Sequence, residues 1–280
     1  MHPVYSHIKE NLLPLYPAEE ASALARWILT DVFSLSPTEL YTGKDINFQP
    51  KDWDRLEDIL TRLRNHEPIQ YILGTCSFCG LEFQVAPGVL IPRPETAELV
   101  DWIVSDHRAS LSADILDIGT GSGCIAISLA HHLKGATVSA WDISSEALRI
   151  ARQNAERNQV RVSFTRTDIL QPEVPDMQAD IIVSNPPYIT EKEREEMERN
   201  VLDWEPEQAL FVPDNDPLLF YRAIARHGLH MLRPQGRIYF EINRAYGKET
   251  TDLLMRLGYK QVELKKDFYG NDRMIKAIKP

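Results

Sequence analysis

The chain has 280 residues, 43% hydrophobic and 26% charged, which is typical of a globular protein with one sizeable core and room for a second small domain. Its net charge of −10 disfavours duplex DNA or RNA as the main substrate, because such partners need positive charge to displace phosphate counterions. The sequence shows neither a run of about 18 apolar residues nor a signal peptide, so we expect a cytoplasmic protein without a membrane span.

The N-terminal part of the chain has the pattern of a small helical bundle. Apolar residues recur at helical spacing in residues 1–75, for example at Leu24 and Ile28. We expect this domain to recognise a protein partner.

Residues 76–92 alternate short apolar runs with turn residues such as Pro87-Gly88, which predicts a β-hairpin linker.

The three cysteines are Cys76, Cys79 and Cys124. The first two have the C-x-x-C spacing of a redox or zinc site, but zinc needs two further ligands and the chain has no second C-x-x-C. We therefore expect reduced, packed thiols and no metal ion.

Residues 93–280 are predicted to form the catalytic domain, because strand and helix patterns alternate from about residue 113 onward. Strands are predicted at 115–116, 137–141, 162–164, 181–183 and 237–242, and helices at 124–132, 145–158, after 190 and at 217–232. This alternation indicates an open α/β sheet with helices on both faces and ligands at the carboxyl ends of the strands. Segments 259–264 and 274–278 are expected to add an antiparallel pair at one edge.

A glycine-rich loop follows the first of these strands, at residues 117–123 (DIGTGSG), and a helix begins directly after it. Glycines allow a tight turn and a close approach to a ligand. A dinucleotide fingerprint would require its third glycine where Cys124 stands, and the charge of Asp117 suits an α-ammonium group better than a pyrophosphate. The residues of the loop expected to bind the cofactor are Asp117, Gly119, Thr120, Gly121, Ser122 and Gly123.

Acidic residues follow the next two strands. Asp142 ends the second strand, where a carboxylate can accept hydrogen bonds from both ribose hydroxyls of a nucleoside. Asp168 and Ile169 follow the third strand, where an adenine ring would lie. Each acid alone could equally cap a helix, but their placement at successive strand ends predicts binding of S-adenosylmethionine.

The fourth strand ends in Ser184-Asn185-Pro186-Pro187-Tyr188, which we expect to face the glycine loop across one crevice. Two prolines fix two φ angles and remove two backbone donors. The side-chain carbonyl of Asn185 and the backbone carbonyl of Pro186 could accept hydrogen bonds from an amide or exocyclic amine and orient this poor nucleophile. Tyr188 could pack beside its planar group. We therefore expect Asn185, Pro186 and Tyr188 to act in catalysis, Asn185 to contact the cofactor as well, and Asn185, Pro186, Pro187 and Tyr188 to bind substrate.

Together with residues 117–123, this motif resembles methyltransferases that act on nitrogen attached to a planar group. Residues 67–74 (EPIQYILG), 91–96 (IPRPET) and 182–189 (IVSNPPYI) are similar to the HemK/PrmC family of peptide chain release factor N5-glutamine methyltransferases. The resemblance extends over nearly the whole chain. It implies a Rossmann-like class I SAM-dependent methyltransferase sheet with a small all-α N-terminal domain.

The resemblance also implies the reaction, which is methylation of the side-chain amide of the glutamine in the GGQ motif of release factors. It implies cofactor contacts at residues 119–123, Asp142 and Ile169, and substrate contacts at residues 185–188. The chain departs from the family pattern at residues 211–216, where a Gly-rich loop is common, and at Ala97, where an acid is frequent. Both departures concern the substrate rim.

Several alternatives stay open at this point. An adenine-N6 DNA or rRNA methyltransferase would use the same slot, and a binding module could keep the cofactor pocket for structure alone. Arg93 and Glu95 could position the substrate or simply start a helix. The charged segment 191–198 is expected to form a solvated helix face.

Overall fold

The computed structural model describes residues 3–42, 48–108 and 112–280. These residues form two compact units, the first containing those up to residue 74 and residues 198–204, the second containing those between 75 and 197 and residues 205–280. Residues 198–204 thus group with the N-terminal helices. The domain limits at residues 75 and 92 stay a prediction.

The first unit is helical, as the apolar spacing predicts. Its helices are α1 (Pro3–Leu12), α2 (Ala18–Trp27), which continues as a π-helical turn (Ile28–Val32), α3 (Pro37–Thr42), α4 (Pro50–Arg64), α5 (Ile69–Leu73) and α9 (Arg199–Leu202). Helix α4 begins with a proline at its first position and a capping box between Gln49 and Asp52. Its buried stripe includes Leu56 and Leu60, whereas Trp53 on the same helix is 37% exposed.

The second unit contains a seven-stranded sheet in the order β10-β11-β9-β6-β3-β4-β5. Its strands are β3 (Ala113–Ile118), β4 (Ala136–Asp142), β5 (Val162–Arg166), β6 (Ala179–Ser184), β9 (Leu232–Glu241), β10 (Lys260–Lys266) and β11 (Asp272–Ile278). The first five are mutually parallel, and β11 pairs antiparallel with both β9 and β10. The expected antiparallel pair at one edge is confirmed.

Helices cover both faces of this sheet, namely α6 (Pro94–His107), α7 (Cys124–His132), α8 (Ser145–Arg157), α10 (Leu219–Met231) and α11 (Gly247–Arg256). Helices α10 and α11 pack on the face that carries Leu116 and Ile182. Because side chains alternate along a strand, Ile115 and Ile181 point to the opposite face, and they are also buried. No helix in the described part of the chain is long and apolar enough to cross a membrane.

Two predicted segments differ from the structure. The hairpin strands are β1 (Thr75–Phe78) and β2 (Leu81–Gln84), and residues 89–91 are not part of a strand. After the short strand β7 (Ile189–Thr190), which pairs with β8 (Phe211–Val212), the chain forms a 3₁₀ turn at Glu191–Glu196 instead of a longer helix. This turn is only partly solvated, because Asn243 donates to the Glu193 carboxylate at 3.0 Å.

The pairing of β3 with β6 fixes the position of the site. The two strands are parallel neighbours, with Asp117 opposite Val183, so the glycine loop and the Asn-Pro-Pro-Tyr segment both leave the sheet at the same edge. The Ser184 hydroxyl donates to the Ile118 carbonyl at 2.6 Å and links the two strand ends. The sequence prediction that these segments share one crevice follows from this order.

Gly228 allows α10 to pack closely on the buried Tyr259, and we predict that Gly228→Ala destabilises the protein. An added Cβ would lie 2.6 Å from the Tyr259 hydroxyl oxygen, which donates to Ala225 O at 2.9 Å. Overpacking of this kind costs about 1–3 kcal/mol, more than the roughly 1 kcal/mol that alanine gains over glycine in a helix. Urea unfolding would measure the loss.

The matched control is Tyr259→Phe, which removes the atom that the new methyl group would meet. In that background Gly228→Ala should be neutral or stabilising, so that the two effects are not additive. Equal costs of Gly228→Ala in both backgrounds would contradict the steric explanation.

Candidate active site

A cavity of about 250 Å³ lies at the carboxyl ends of the parallel strands, in the second unit. Eight of the predicted site residues line it, with at least one at or after the end of each of β3, β4, β5 and β6: Gly119, Gly121, Asp142, Asp168, Ile169, Asn185, Pro186 and Pro187. The remaining predicted residues, Asp117, Thr120, Ser122, Gly123 and Tyr188, are not among the described residues that line this cavity. The first group lines the cavity, and the second lies beside or behind its wall.

The glycine loop is held by contacts within the protein. The N–H groups of Gly119 and Thr120 both donate to Trp141 O, at 2.8 and 3.0 Å, so the loop is fixed to the end of β4. Gly119 has φ +76° and Gly121 has φ +55°, values that L side chains rarely adopt. Gly121, which lines the cavity, donates its N–H to the Asp142 carboxylate at 2.8 Å.

Gly123 has a different role, because it provides room for packing. A Cβ at Gly123 would lie 2.8 Å from Ile127 and 3.2 Å from the Ala151 side chain on α8. The buried Asn154 of α8 also donates to Ser122 O at 2.9 Å and to Gln84 O at 3.0 Å. The second half of the loop is thus a packing surface for α8, which the sequence analysis did not predict.

Asp117 is fully buried beneath the loop. Its Oδ2 accepts from the Thr120 hydroxyl at 2.6 Å and from the Ala126 N–H at 3.2 Å. Its Oδ1 is a buried atom with no hydrogen-bond partner among the described residues. Burial, with a contribution from the nearby Asp142, raises the pKa of Asp117 to about 7. A positively charged donor at Oδ1 would satisfy this atom and favour the ionised form.

Asp142 lines the cavity and keeps acceptor capacity for a ligand. Besides the Gly121 N–H on Oδ2, its Oδ1 accepts from the Ser144 N–H at 2.8 Å. The Ile143 backbone is a third donor, and because an ionised carboxylate has about four acceptor positions, capacity for a ligand hydroxyl group remains. Burial raises the pKa of Asp142, and these backbone donors oppose that effect.

The neighbouring wall is apolar and suits a planar ring. Ile169 is buried, while Ile143 and Leu170 remain 48% and 42% exposed and line the same cavity. Asp168 is held by the Leu170 N–H at 3.0 Å and by the Gln171 side chain at 2.8 Å. Its carboxylate is therefore fixed at the rim of an apolar slot.

Asn185 and Tyr188 are connected through two residues that the sequence analysis missed, Thr96 and Glu241. The Asn185 Nδ2 donates to Thr96 Oγ1 at 3.2 Å, and Thr96 donates to Glu241 Oε2 at 2.6 Å. The Tyr188 hydroxyl donates to Glu241 Oε1 at 3.0 Å. Burial and the charge of Glu241 raise the pKa of Tyr188 above its usual range, so this tyrosine is a hydrogen-bond donor and not a base.

The signal for Glu241 was present in the sequence, as a single acid within the apolar run of β9.

Tyr188 packs against the hydrophobic core as a partly buried residue, and its proposed contact with a substrate stays a prediction.

Two further segments that line the cavity were not predicted as site residues, namely residues 88–90 and residues 206, 208 and 209. The buried Glu205 joins them, because its Oε2 accepts from the Ile91 N–H at 3.1 Å and its Oε1 pairs with Arg93. Arg93 is therefore linked to the segment that begins at Glu205. In the sequence, Glu205 is the first residue of a Glu-x-x-x-Ala-Leu pattern at residues 205–210, and this pattern was the available signal for its role.

The cysteines lie outside this cavity. Burial raises the pKa of Cys76 and of Cys79 to about 11, so both are poor nucleophiles. Among residues 3–42, 48–108 and 112–280, no cluster of three His, Cys, Asp or Glu residues is arranged to hold a metal ion.

Solved structures with the same fold are methyltransferases. The *Thermus thermophilus* 16S rRNA N2 G1207 methyltransferase RsmC, in complex with AdoMet and guanosine, has a TM-score of 0.55 and 19% identity, and the match covers 74% of this chain and 50% of that one. The methyltransferase from *Pyrococcus furiosus* has a TM-score of 0.54 and 19% identity, and the match covers 80% and 98%. At this identity the likeness shows the class I methyltransferase fold alone.

Sequence comparison identifies the family. The PrmC N-terminal domain matches residues 10–74, and the Methyltransferase small domain matches residues 96–203. The release factor glutamine methyltransferase of *Bacteroides thetaiotaomicron* is 51% identical over 99% of both chains. That of *Flavobacterium psychrophilum* is 47% identical over 96% of this chain and 95% of its own. The chain belongs to the release factor glutamine methyltransferase family.

Proposed function

We propose that this protein methylates the side-chain amide nitrogen of the glutamine in the GGQ motif of peptide chain release factors, with S-adenosylmethionine as the cofactor. The observation that carries the proposal is that Asn185 and Pro186 line the same cavity as Gly119, Gly121 and Asp142. Acceptors for a planar N–H group and residues suited to a nucleoside thus meet at one edge of the sheet. The relatives that share this chain's full length carry that activity in their names.

The residues present fit the cofactor. The orphaned Oδ1 of Asp117 is suited to an α-ammonium group, Asp142 has acceptor capacity for a ribose hydroxyl, and Ile169 contributes to an apolar wall for adenine. When bound, the cofactor supplies an electrophilic methyl group whose leaving group is a neutral thioether. Little acid catalysis is therefore required of the protein.

The substrate side of the reaction depends on orientation. An amide nitrogen is a weak nucleophile, because its lone pair is delocalised into the carbonyl group. We propose that Asn185 Oδ1 and the Pro186 carbonyl accept the two N–H groups and hold the nitrogen in line for attack. Pro186 and Pro187 have no N–H that could compete for these acceptors. After transfer, the methylated amide nitrogen releases its surplus proton to solvent water.

The alternative of an adenine-N6 methyltransferase has less support. The net charge of −10 does not suit a nucleic-acid partner, and we do not expect direct binding of DNA or RNA. The proposed substrate is a protein of the translation machinery, so we place the reaction in the cytoplasm.

The assignment can be tested with a labelled methyl donor. The protein is incubated with a release factor, with the same factor carrying Gln→Ala in its GGQ motif, and with DNA or rRNA. Label on the GGQ glutamine alone is the expected result. Label in nucleic acid without label in protein would show that the protein is an adenine-N6 methyltransferase instead. If the cofactor binds and no acceptor is labelled, the proposal is wrong.

Replacing Asn185 should reduce turnover much more than cofactor binding. Asn185→Ala removes an acceptor for the reacting nitrogen, and loss of one such oriented group lowers kcat by about 10²–10³-fold. Steady-state methylation of the release factor and calorimetric titration of the cofactor would measure the two effects. Asn158→Ala, which removes an amide that donates to Glu82 O away from the cavity, is the control and should leave both constants unchanged.

Cofactor affinity should depend on pH through Asp117. Its pKa is raised to about 7 in the cofactor-free protein, and an ammonium group at Oδ1 would lower it, so binding requires loss of a proton below pH 7. The Kd should therefore rise as pH falls from 7 to 5.5, by at most about tenfold per pH unit. An α-amino group, with a pKa of about 7.7–8.0, stays charged throughout this range.

The measurement is calorimetric titration of the cofactor across this range. Asp117→Asn should weaken binding at pH 7 and remove the slope, whereas Asp267→Asn, at another buried carboxylate, should change neither. A wild-type Kd that does not vary with pH would contradict a contact between Asp117 and the ammonium group.

A further inference from the structure

We propose that Thr96 and Glu241 are positioning residues that fix the Asn185 amide with its carbonyl oxygen toward the acceptor nitrogen. This inference deepens the proposed function and rests on it for its catalytic consequence. An asparagine amide presents a donor on one branch and an acceptor on the other, and the two are nearly equal in shape. A neighbour must therefore select which branch faces the substrate.

The selection follows from counting protons. Thr96 has one hydroxyl hydrogen, and at 2.6 Å from Glu241 Oε2 that hydrogen is donated to the carboxylate. An ionised carboxylate has no hydrogen to return. Thr96 Oγ1 can then only accept, so the branch of Asn185 that meets it, at 3.2 Å, must be the NH₂ group. The carbonyl branch is left for the cavity, which Asn185 lines.

Protonation of Glu241 would permit the opposite order. A carboxylic acid could donate to Thr96, Thr96 could donate to Asn185 Oδ1, and the NH₂ branch would face the cavity. Two N–H groups would then oppose each other when a substrate amide enters. The polarity of the catalytic amide therefore depends on the charge of a carboxylate that is 1% exposed and does not line the cavity.

Four groups around Glu241 set its charge state. The hydroxyls of Thr96 and Tyr188 donate to its two oxygens, and the guanidinium of Arg273 on β11 adds a favourable charge. Burial and the carboxylate of Glu95 act in the opposite direction and raise the pKa of Glu241. The Arg273 carbonyl accepts from the Ile242 N–H at 2.8 Å, which keeps β11 beside the end of β9.

The experiment compares Thr96→Val, Thr96→Ser and Glu241→Gln, each alone and in an Asn185→Ala background. Valine has the shape of threonine without its oxygen, and serine keeps the hydroxyl. Thr250→Val is the matched control, because Thr250 is fully buried in α11 and donates to Tyr246 O at 2.8 Å. It should lose stability and keep its activity.

In kinetics, Thr96→Val should lower kcat by about tenfold or more with the cofactor Kd unchanged, and Thr96→Ser should restore most of it. In the Asn185→Ala background, Thr96→Val should have no further effect, because Thr96 acts through Asn185. Glu241→Gln should also lower kcat. At saturating cofactor, where protonation of Asp117 no longer limits binding, kcat of the wild-type protein should fall at acid pH as Glu241 is protonated, and Glu241→Gln should remove this pH dependence. Additive losses in the double variant would overturn the proposal, since a structural role of Thr96 does not require Asn185.

A second measurement does not depend on methylation. In protein labelled with ¹⁵N-asparagine, the side-chain NH₂ signal of Asn185 is identified by its absence in Asn185→Ala. It should shift in Thr96→Val and Glu241→Gln and stay unchanged in Thr250→Val. An unchanged signal in Thr96→Val would overturn the proposed contact even if release factors are methylated. Conversely, a wild-type protein that labels no release factor would remove the proposed function, while this signal would still decide the orientation of the amide.

Discussion

The parallel pairing of β3 with β6 is the constraint on which the site depends. It brings the ends of two strands that are 66 residues apart in sequence to one edge of the sheet, where Ser184 donates to Ile118 O. A ligand held by the loop after β3 is then within reach of the chain that leaves β6. Insertion of a strand between them would separate the cofactor residues from Asn185, whatever their identity. The order of the strands is therefore a requirement for the chemistry, whichever side chains occupy the site.

The same edge concentrates acidic side chains, of which Asp117 and Glu241 are buried and Asp142 is half-buried. Asp117, Asp142 and Glu241 end, or stand next to the end of, three parallel strands, and burial raises the pKa of each. Buried carboxylates are stable only where donors satisfy them, and here backbone N–H groups and hydroxyls supply most of that requirement. Asp117 Oδ1 is the exception among the described residues. A positively charged ligand would supply the missing hydrogen bond to this oxygen. Part of the cost of burying Asp117 is therefore offset only when the ligand is present.

The sequence predicted the features that arise from local patterns. Residues 117–123 and 184–188 each combine a strand end with a turn, so their place in the sheet could be inferred from the run that precedes them. Contacts between distant segments could not. Thr96 and Glu241 are 145 residues apart and belong to a helix start and a strand end, each of which has an ordinary local explanation. Spacing also does not show that the side chains of Thr120 and Ser122 are buried, and their expected contacts with the cofactor stay a prediction.

The choice of asparagine at position 185 explains why such distant contacts matter. A carboxylate there would accept hydrogen bonds from a substrate amide in either orientation, but it would add a fourth acid at the edge of the sheet that already carries Asp117, Asp142 and Glu241. A neutral amide avoids that charge and has an orientation that its surroundings must determine. The prolines that follow fix the backbone and cannot determine the side-chain rotamer. The burial of Glu241 and the orientation of Asn185 are therefore linked, because a charge away from the cavity orients a neutral acceptor inside it.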